Sequence, residues 1–60
     1  MDGEMMLVVL EYTYPCIYVF HIPEDTDIQD FLFVKNGFKE SQIHWIVGNP
    51  TITIYSDREL

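Results

Sequence analysis

The stretch Met5-Met6-Leu7-Val8-Val9-Leu10 decides the fold, because it is the longest apolar run in the chain and acidic residues flank it on both sides. A run of this length that leads into Thr13-Tyr14-Pro15 is typical of a buried strand followed by a turn. A membrane-spanning helix needs about twenty apolar residues, so we expect no membrane contact. The pattern predicts a first strand over residues 5–12.

The next segment, Cys16 to Ile22, repeats this pattern of aromatic and β-branched apolar residues. Pro23 ends the segment, because proline has no N–H group to donate to a sheet ladder. We therefore predict a second strand over residues 16–22. The two strands are expected to pair as a hairpin around Thr13 to Pro15.

Residues 26–29, Thr-Asp-Ile-Gln, carry the clearest local signal for the start of a helix. In a capping box the Thr side chain binds a backbone amide of the first turn while the Gln side chain reaches back. Gly37 supplies the left-handed residue that commonly ends a helix. We predict a helix over residues 27–36. The side chains expected to cover the sheet are Ile28, Phe31, Leu32 and Val34.

Two further strands are predicted over residues 42–47 and 51–55, where apolar and polar side chains alternate. Gly48-Asn49-Pro50 has turn chemistry, so these strands would form a second hairpin. The expected fold is a single α+β domain over residues 1–60, of ββαββ type: a four-stranded sheet of two hairpins with one helix packed on one face. Hairpin-by-hairpin order and a central parallel pair of the first and last strands both satisfy the pattern.

Composition narrows the class of protein. Apolar residues make up 48% of the chain, more than disordered acidic segments contain, so a packed domain is expected. Ten acidic residues against three basic ones give a formal charge of −7, which repels nucleic-acid phosphates and argues against direct nucleic-acid binding. The single cysteine cannot form an internal disulfide, which favours a cytoplasmic location.

Strands one and two contain more apolar side chains than one short helix can cover. If Met6, Val8 and Leu10 face the helix, the alternate residues of strand one face away. In strand two, Ile17 and Val19 also face away from the helix, and Ile46 of strand three is a further uncovered apolar residue. The predicted exposed apolar patch is Met5, Leu7, Val9, Ile17 and Val19. A patch of about a few hundred Å² is typical of a binding surface, which predicts a protein partner or a homodimer.

Two alternatives concern these apolar residues. A central strand can be apolar throughout, with aromatic residues and the chain ends covering it. Phe33, which points away from the covered face of the predicted helix, either packs against Phe38 at the helix end or is an exposed anchor for a partner. We include Phe33 among the candidate partner-binding residues.

Four carboxylates, those of Glu24, Asp25, Asp27 and Asp30, crowd the start of the predicted helix. Acidic residues there interact favourably with the helix dipole and keep a small protein soluble. They could also mimic nucleic-acid phosphates, since Asp27 and Asp30 would rise about 4.5 Å apart along a helix, against about 3.4 Å per phosphate along one DNA strand. We include all four as candidate partner-binding residues.

No grouping of residues indicates catalysis. The residues with the chemistry of a nucleophile, a base or a soft metal ligand are Cys16, His21, Ser41, His44 and Ser56. No two of them have the spacing of a catalytic motif or a metal site. We therefore expect a non-enzymatic protein without cofactor or metal.

These features favour a small acidic interaction protein that binds another protein through the apolar patch, the acidic residues or both. An inhibitor of a host nucleic-acid-binding machine, of the kind that a phage or mobile element encodes, would use the carboxylates as phosphate mimics. The alternative is a homodimeric structural or regulatory module of a larger assembly.

Overall fold

The computed structural model describes residues 3–55, which form a three-stranded antiparallel sheet with short helical segments. The strands are β1 (Glu4–Glu11), β2 (Cys16–Pro23) and β3 (Ile43–Gly48), in the order β2-β1-β3. A helical turn, Asp30–Lys35, and a 3₁₀ turn, Glu40–Gln42, connect β2 to β3. The predicted four-stranded sheet with a packed helix over residues 27–36 is therefore wrong.

A four-residue turn joins β1 to β2 and sets which side chains share a face. Glu11 pairs with Cys16, so the turn consists of residues 12–15. A hairpin closed around residues 13–15, as predicted, would pair Tyr12 with Cys16 instead. This difference of one residue moves every side chain of β1 to the other face relative to β2.

β1 is the central strand of the sheet, because it pairs with β2 along one edge and with β3 along the other. Its apolar run, residues 5–10, suits this position, where both faces of the strand can be covered. β2 and β3 each keep one unpaired edge within the described residues. The domain thus has one interior strand and two edge strands.

The inner face of the sheet is the face that the helical turn covers. Its core consists of side chains that are at most 9% exposed: Met5, Leu7, Val9, Ile22, Leu32 and Ile43. The prediction that Met5, Leu7 and Val9 face away from the helical segment is therefore wrong, and the length of the first turn is the reason. The Phe20 and Phe31 rings close this layer edge to face, with centroids 5.1 Å apart.

The helical turn is shorter and wider than the predicted helix. Residues 28–29 already follow a helical path. From Asp30 to Lys35 the backbone hydrogen bonds join residues five apart, as between the Asn36 amide and the Phe31 carbonyl at 3.1 Å. This is the pattern of a π-helix. The wider turn places Phe33 partly against the core and leaves Val34 72% exposed, the reverse of the predicted arrangement.

The start of this segment is capped one residue later than predicted. The Asp27 carboxylate accepts the Asp30 amide at 3.2 Å, in place of the predicted cap by Thr26. The Phe31 amide donates to the Asp27 carbonyl at 2.9 Å. An aspartate in this position satisfies an amide that the helix itself leaves unpaired.

The end of the segment is formed by Gly37, as the sequence predicted. Gly37 has a φ of 72°, a conformation that costs glycine little. The Phe38 amide then returns to the Leu32 carbonyl at 3.0 Å. This closure turns the chain back towards the sheet and into β3.

Residues 51–55 form no strand with β3, so the predicted fourth strand and second hairpin are wrong. This segment, called the tail below, folds back over Gly48 onto the outer face, the face opposite the helical turn. The Thr51 hydroxyl and the Ile52 amide both donate to the Met6 sulfur at 3.3 Å. A side chain at position 48 would collide with Thr51 and Ile52, so glycine permits the close fold-back that carries the tail away from β3.

Candidate functional site

The outer face of the sheet is built from the residues that alternate with the core residues. Residues paired across the strands share a face, so the register defines nine central positions in three rows that cross all three strands, and the pair Glu4-Pro23 extends this face at one end. The rows are His21-Met6-Gly48, Val19-Val8-Ile46 and Ile17-Leu10-His44. No Asp, Glu, Lys or Arg occurs among them, although the chain carries a formal charge of −7.

Four apolar side chains of the outer face are exposed, and together we call them the open patch: Leu10, Ile17, Val19 and Ile46. Their exposed fractions are 40%, 63%, 43% and 50%. Val8 lies between Val19 and Ile46 and is only 7% exposed. The tail contacts the Met6 end of this face, whereas the helical turn lies on the opposite face. The open patch is thus a sheet surface on which no described layer packs.

The predicted apolar patch is divided between the two faces. Ile17 and Val19 lie in the open patch, together with Ile46. Met5, Leu7 and Val9 lie in the core instead, and no partner could reach Leu7 or Val9 without unfolding the domain. Phe33 is partly buried against the core. The prediction that Leu10 faces the helix is wrong. Its exposure follows from the four-residue turn, whose length the sequence pattern did not indicate.

An open concavity of about 670 Å³ adjoins the patch at the turn between β1 and β2. Its lining residues are Leu10, Glu11, Tyr12, Pro15, Cys16 and Ile17. Two of them, Leu10 and Ile17, also belong to the open patch. The apolar surface therefore continues from the sheet face around the end of the hairpin.

Polar side chains converge on Glu11 at the same turn. The Glu11 carboxylate accepts the Thr13 hydroxyl at 3.2 Å, the Tyr18 hydroxyl at 3.3 Å and, more weakly, the Cys16 thiol at 4.0 Å. The neighbouring Cys16 side chain, then the loss of hydration and the Glu11 charge, raise the pKa of Tyr18 to about 12. The sequence pattern gives no sign of this cluster, because the pairing of Glu11 with Cys16 creates it. It ties the turn to both strands.

The acidic candidate residues lie around the start of the helical turn. Glu24, Asp25 and Asp27 are exposed, and Asp30 is half-buried. Two of these carboxylates have local contacts, because Asp27 caps the helical turn and Glu24 lies against Gly3. Asp27 and Asp30 therefore belong to the helical segment over the inner face, and Glu24 lies at the end of the β1–β2 hairpin. None of the four lies in the open patch.

The remaining candidates for chemistry do not come together. Within residues 3–55 no three His, Cys, Asp or Glu side chains are grouped closely enough to hold a metal ion. His21 and His44 occupy diagonal corners of the outer face, Ser41 is exposed in the 3₁₀ turn, and Ser56 lies outside the described residues. The part of the chain that the structure describes also has no helix both long and apolar enough to cross a membrane.

The open patch is thus the surface feature with the clearest chemistry, because it is both apolar and exposed. Comparison with known proteins adds no functional assignment. No protein-family model, no curated protein and no solved structure matches the chain.

Proposed function

We propose that this protein is a non-enzymatic interaction protein that binds a protein partner through the open patch. The observation that carries the proposal is a sheet face whose apolar side chains, Leu10, Ile17, Val19 and Ile46, remain 40–63% exposed. Soluble monomers rarely expose contiguous apolar surface beyond about a few hundred Å², and larger patches mark binding sites. A partner that covers this face would complete the second layer that the sheet lacks.

The energetics favour an apolar partner surface. Burying one Ile or Val side chain fully is worth about 1.5–3 kcal/mol relative to leaving it in water. The four side chains of the open patch are already partly buried in the free protein. Complete burial by a partner would therefore contribute only part of this free energy for each. The concavity beside Leu10 and Ile17 gives a partner side chain a place to insert, as aromatic anchors do in interfaces.

The charge of the protein favours a basic partner. The nine central positions of the outer face contain no carboxylate, and Glu4 lies at the end of this face, but the protein as a whole carries a formal charge of −7. A partner with an apolar centre and a rim of Lys and Arg would be attracted over distance and then held by apolar contacts. Inhibition of a nucleic-acid-binding machine, as by a protein of a phage or mobile element, is one function that this combination would serve.

Capture experiments with paired variants test the use of the open patch. Tagged wild-type protein, Ile17→Lys and Gln29→Lys would each be used to capture proteins from the cells that make this chain. Both variants add one positive charge at an exposed position, but only Ile17 lies in the open patch. We expect a partner that wild type and Gln29→Lys retain and that Ile17→Lys loses. Equal capture by all three would contradict the proposal.

A separate pair of variants tests the acidic residues. Asp25→Asn and Glu24→Gln remove charge without removing the Asp27 cap. If phosphate mimicry operates, the double variant should weaken partner binding, and added salt should weaken wild-type binding more than that of the variant. Unchanged affinity in the double variant would show that Glu24 and Asp25 do not act as phosphate mimics and would leave binding by the open patch intact.

A further inference from the structure

The tail has the sequence of a strand but does not pair as one. Thr51-Ile52-Thr53-Ile54-Tyr55 alternates polar and apolar side chains and contains no charged residue. In the structure it forms no ladder, and Ile54 and Tyr55 are 62% and 90% exposed. Its described hydrogen bonds are the two to the Met6 sulfur, and sulfur is a weak acceptor. Little therefore holds the tail in this position.

The sheet has an edge that would accept such a strand. β3, residues 43–48, contains no charged residue and no proline, and neither helical segment pairs with its free edge. Natural edge strands are usually protected against pairing by lysine, proline or a bulge. β3 contains neither lysine nor proline, so its free edge is open to an added strand.

We propose that the tail of one copy adds to the free edge of β3 in a second copy, and that the exchange is reciprocal. In each chain the fold-back over Gly48 opens, and β3 and the tail become one long strand, in which only Pro50 has no backbone N–H group to donate. Two such strands run antiparallel, each tail beside the other copy's β3, so the two sheets join into one. An exchange of identical segments between copies is a low-cost route to a dimer.

The register of this exchange follows from the hairpin that the sequence predicted. Pairing Val47 with Thr51 of the other copy, as a turn of residues 48–50 would, makes the two copies equivalent about a two-fold axis at Asn49. This register places Ile52 beside Ile46 and Ile54 beside His44, on the outer face where both strand residues lie. Thr53 then lies beside Trp45 on the inner face. The exchange thus places the tail's isoleucines on the outer face, where Ile52 adjoins the open patch.

The charge distribution permits a second copy to approach at this edge. Each copy carries a formal charge of −7, so most encounters between copies are repulsive. Neither β3 nor the tail contributes a charge. The proposal goes beyond partner binding by the open patch, since it uses the edge of the sheet and the backbone of the tail.

Sedimentation velocity of the full 60-residue chain over a range of concentrations tests the dimer. We expect a dimer for wild type and for Thr53→Val, and a dissociation constant at least about tenfold higher for Thr53→Pro, because proline removes a ladder N–H group. Thr53 is exposed in the protomer, and circular dichroism would verify that Thr53→Pro still folds. A monomer at every concentration, or an undiminished dimer in Thr53→Pro, would overturn the proposal.

Disulfide trapping tests the edge and the register. In a Cys16→Ser background, chains carrying Ile46→Cys would be mixed with chains carrying Ile52→Cys and oxidised mildly. We expect a disulfide between the two kinds of chain, and none when Val19→Cys replaces Ile46→Cys. Cross-linking to position 19 instead of 46 would overturn the proposed edge.

Ile17→Lys separates the two proposals. It should leave the dimer mass unchanged, because Ile17 lies on β2, away from the exchanged strands. If Ile17→Lys abolished the dimer while Thr53→Pro preserved it, the copies would associate through the open patch and strand exchange would be wrong. Loss of partner capture in Ile17→Lys with an intact dimer would support both proposals.

Discussion

The two faces of β1 are both apolar, but they have different surroundings. Met5, Leu7 and Val9 on the inner face are 9%, 0% and 0% exposed, beneath the helical turn. Met6 and Val8 on the outer face are 8% and 7% exposed, and Leu10 is 40% exposed. The contrast is larger on β2, where Ile22 is 4% exposed and Ile17 is 63% exposed. Side-chain chemistry alone therefore does not reveal which face is covered, because the covering layer comes from distant parts of the chain.

Truncating leucine on each face should give the largest difference. Leu7→Ala removes a fully buried side chain and should lower the free energy of unfolding by about 2–5 kcal/mol, through lost burial and a residual cavity. Leu10→Ala should cost less than half as much, because Leu10 is already 40% exposed. Urea unfolding followed by circular dichroism measures both values. Equal losses would show that the outer face is covered in solution.

Replacing valine by threonine tests the same contrast between the two faces with less change in side-chain volume. Val9→Thr buries a hydroxyl at a position that is 0% exposed and should cost about 1–3 kcal/mol if the group finds no partner. Val19→Thr, at a position that is 43% exposed, should have almost no effect, because threonine is well accepted in strands. The free energies of unfolding of the two variants give the comparison. A larger loss for Val19→Thr would reverse our assignment of the faces.

Gly37 probes the layer over the inner face. A side chain at this position would meet no atom within 4 Å, so Gly37→Ala isolates the cost of the positive φ. We expect a loss of about 1 kcal/mol, measured by thermal unfolding. Gly37→Asn should lose less, because asparagine tolerates this conformation better. A neutral Gly37→Ala would mean that the segment rearranges without loosening the core.

Tyr18 gives the smallest effect, and it appears only at alkaline pH. Its pKa is raised to about 12 in the folded protein, against about 10 for an ordinary tyrosine. Between these values the unfolded chain loses the phenolic proton first, so stability should fall as pH rises from about 10 towards about 12. Below pH of about 10 the contribution is fully present.

Unfolding by urea at several alkaline pH values checks this dependence in wild type and Tyr18→Phe. The variant lacks the ionising group, so its stability should decline less steeply over the same range. The slopes are the informative quantity, since the substitution also removes the hydrogen bond to Glu11. Identical slopes would show that Tyr18 is not the group responsible.

Much of the sheet could be predicted from the sequence, because each strand is a local apolar run with clear ends. The predicted strands 5–12, 16–22 and 42–47 match β1, β2 and β3 to within about a residue at each end, and Gly37 ends the helical segment as expected. Local pattern did not determine the length of the first turn. That single residue decided whether Leu7 or Leu10 would be buried.

The other errors also came from interactions beyond the local pattern. Residues 51–55 alternate as a strand should, but the fold-back over Gly48 and the contacts with Met6 place them on the sheet face. The helical segment widened where the sequence indicated an ordinary helix, and this brought Phe33 to the core. The candidate site was accordingly predicted only in part: Ile17 and Val19 are exposed, whereas Met5, Leu7 and Val9 are not.

The central position of β1 also has a consequence for the order in which the domain assembles. β2 follows β1 after a short turn, whereas β3 pairs with β1 only after the chain has closed a much longer loop, from Glu11 to Ile43. Closing a longer loop costs more chain entropy, so we expect the β1–β2 hairpin to form first. Until β3 arrives, one side of β1 would display unpaired amides beside an apolar run, and newly made chains would be most prone to aggregate in that interval.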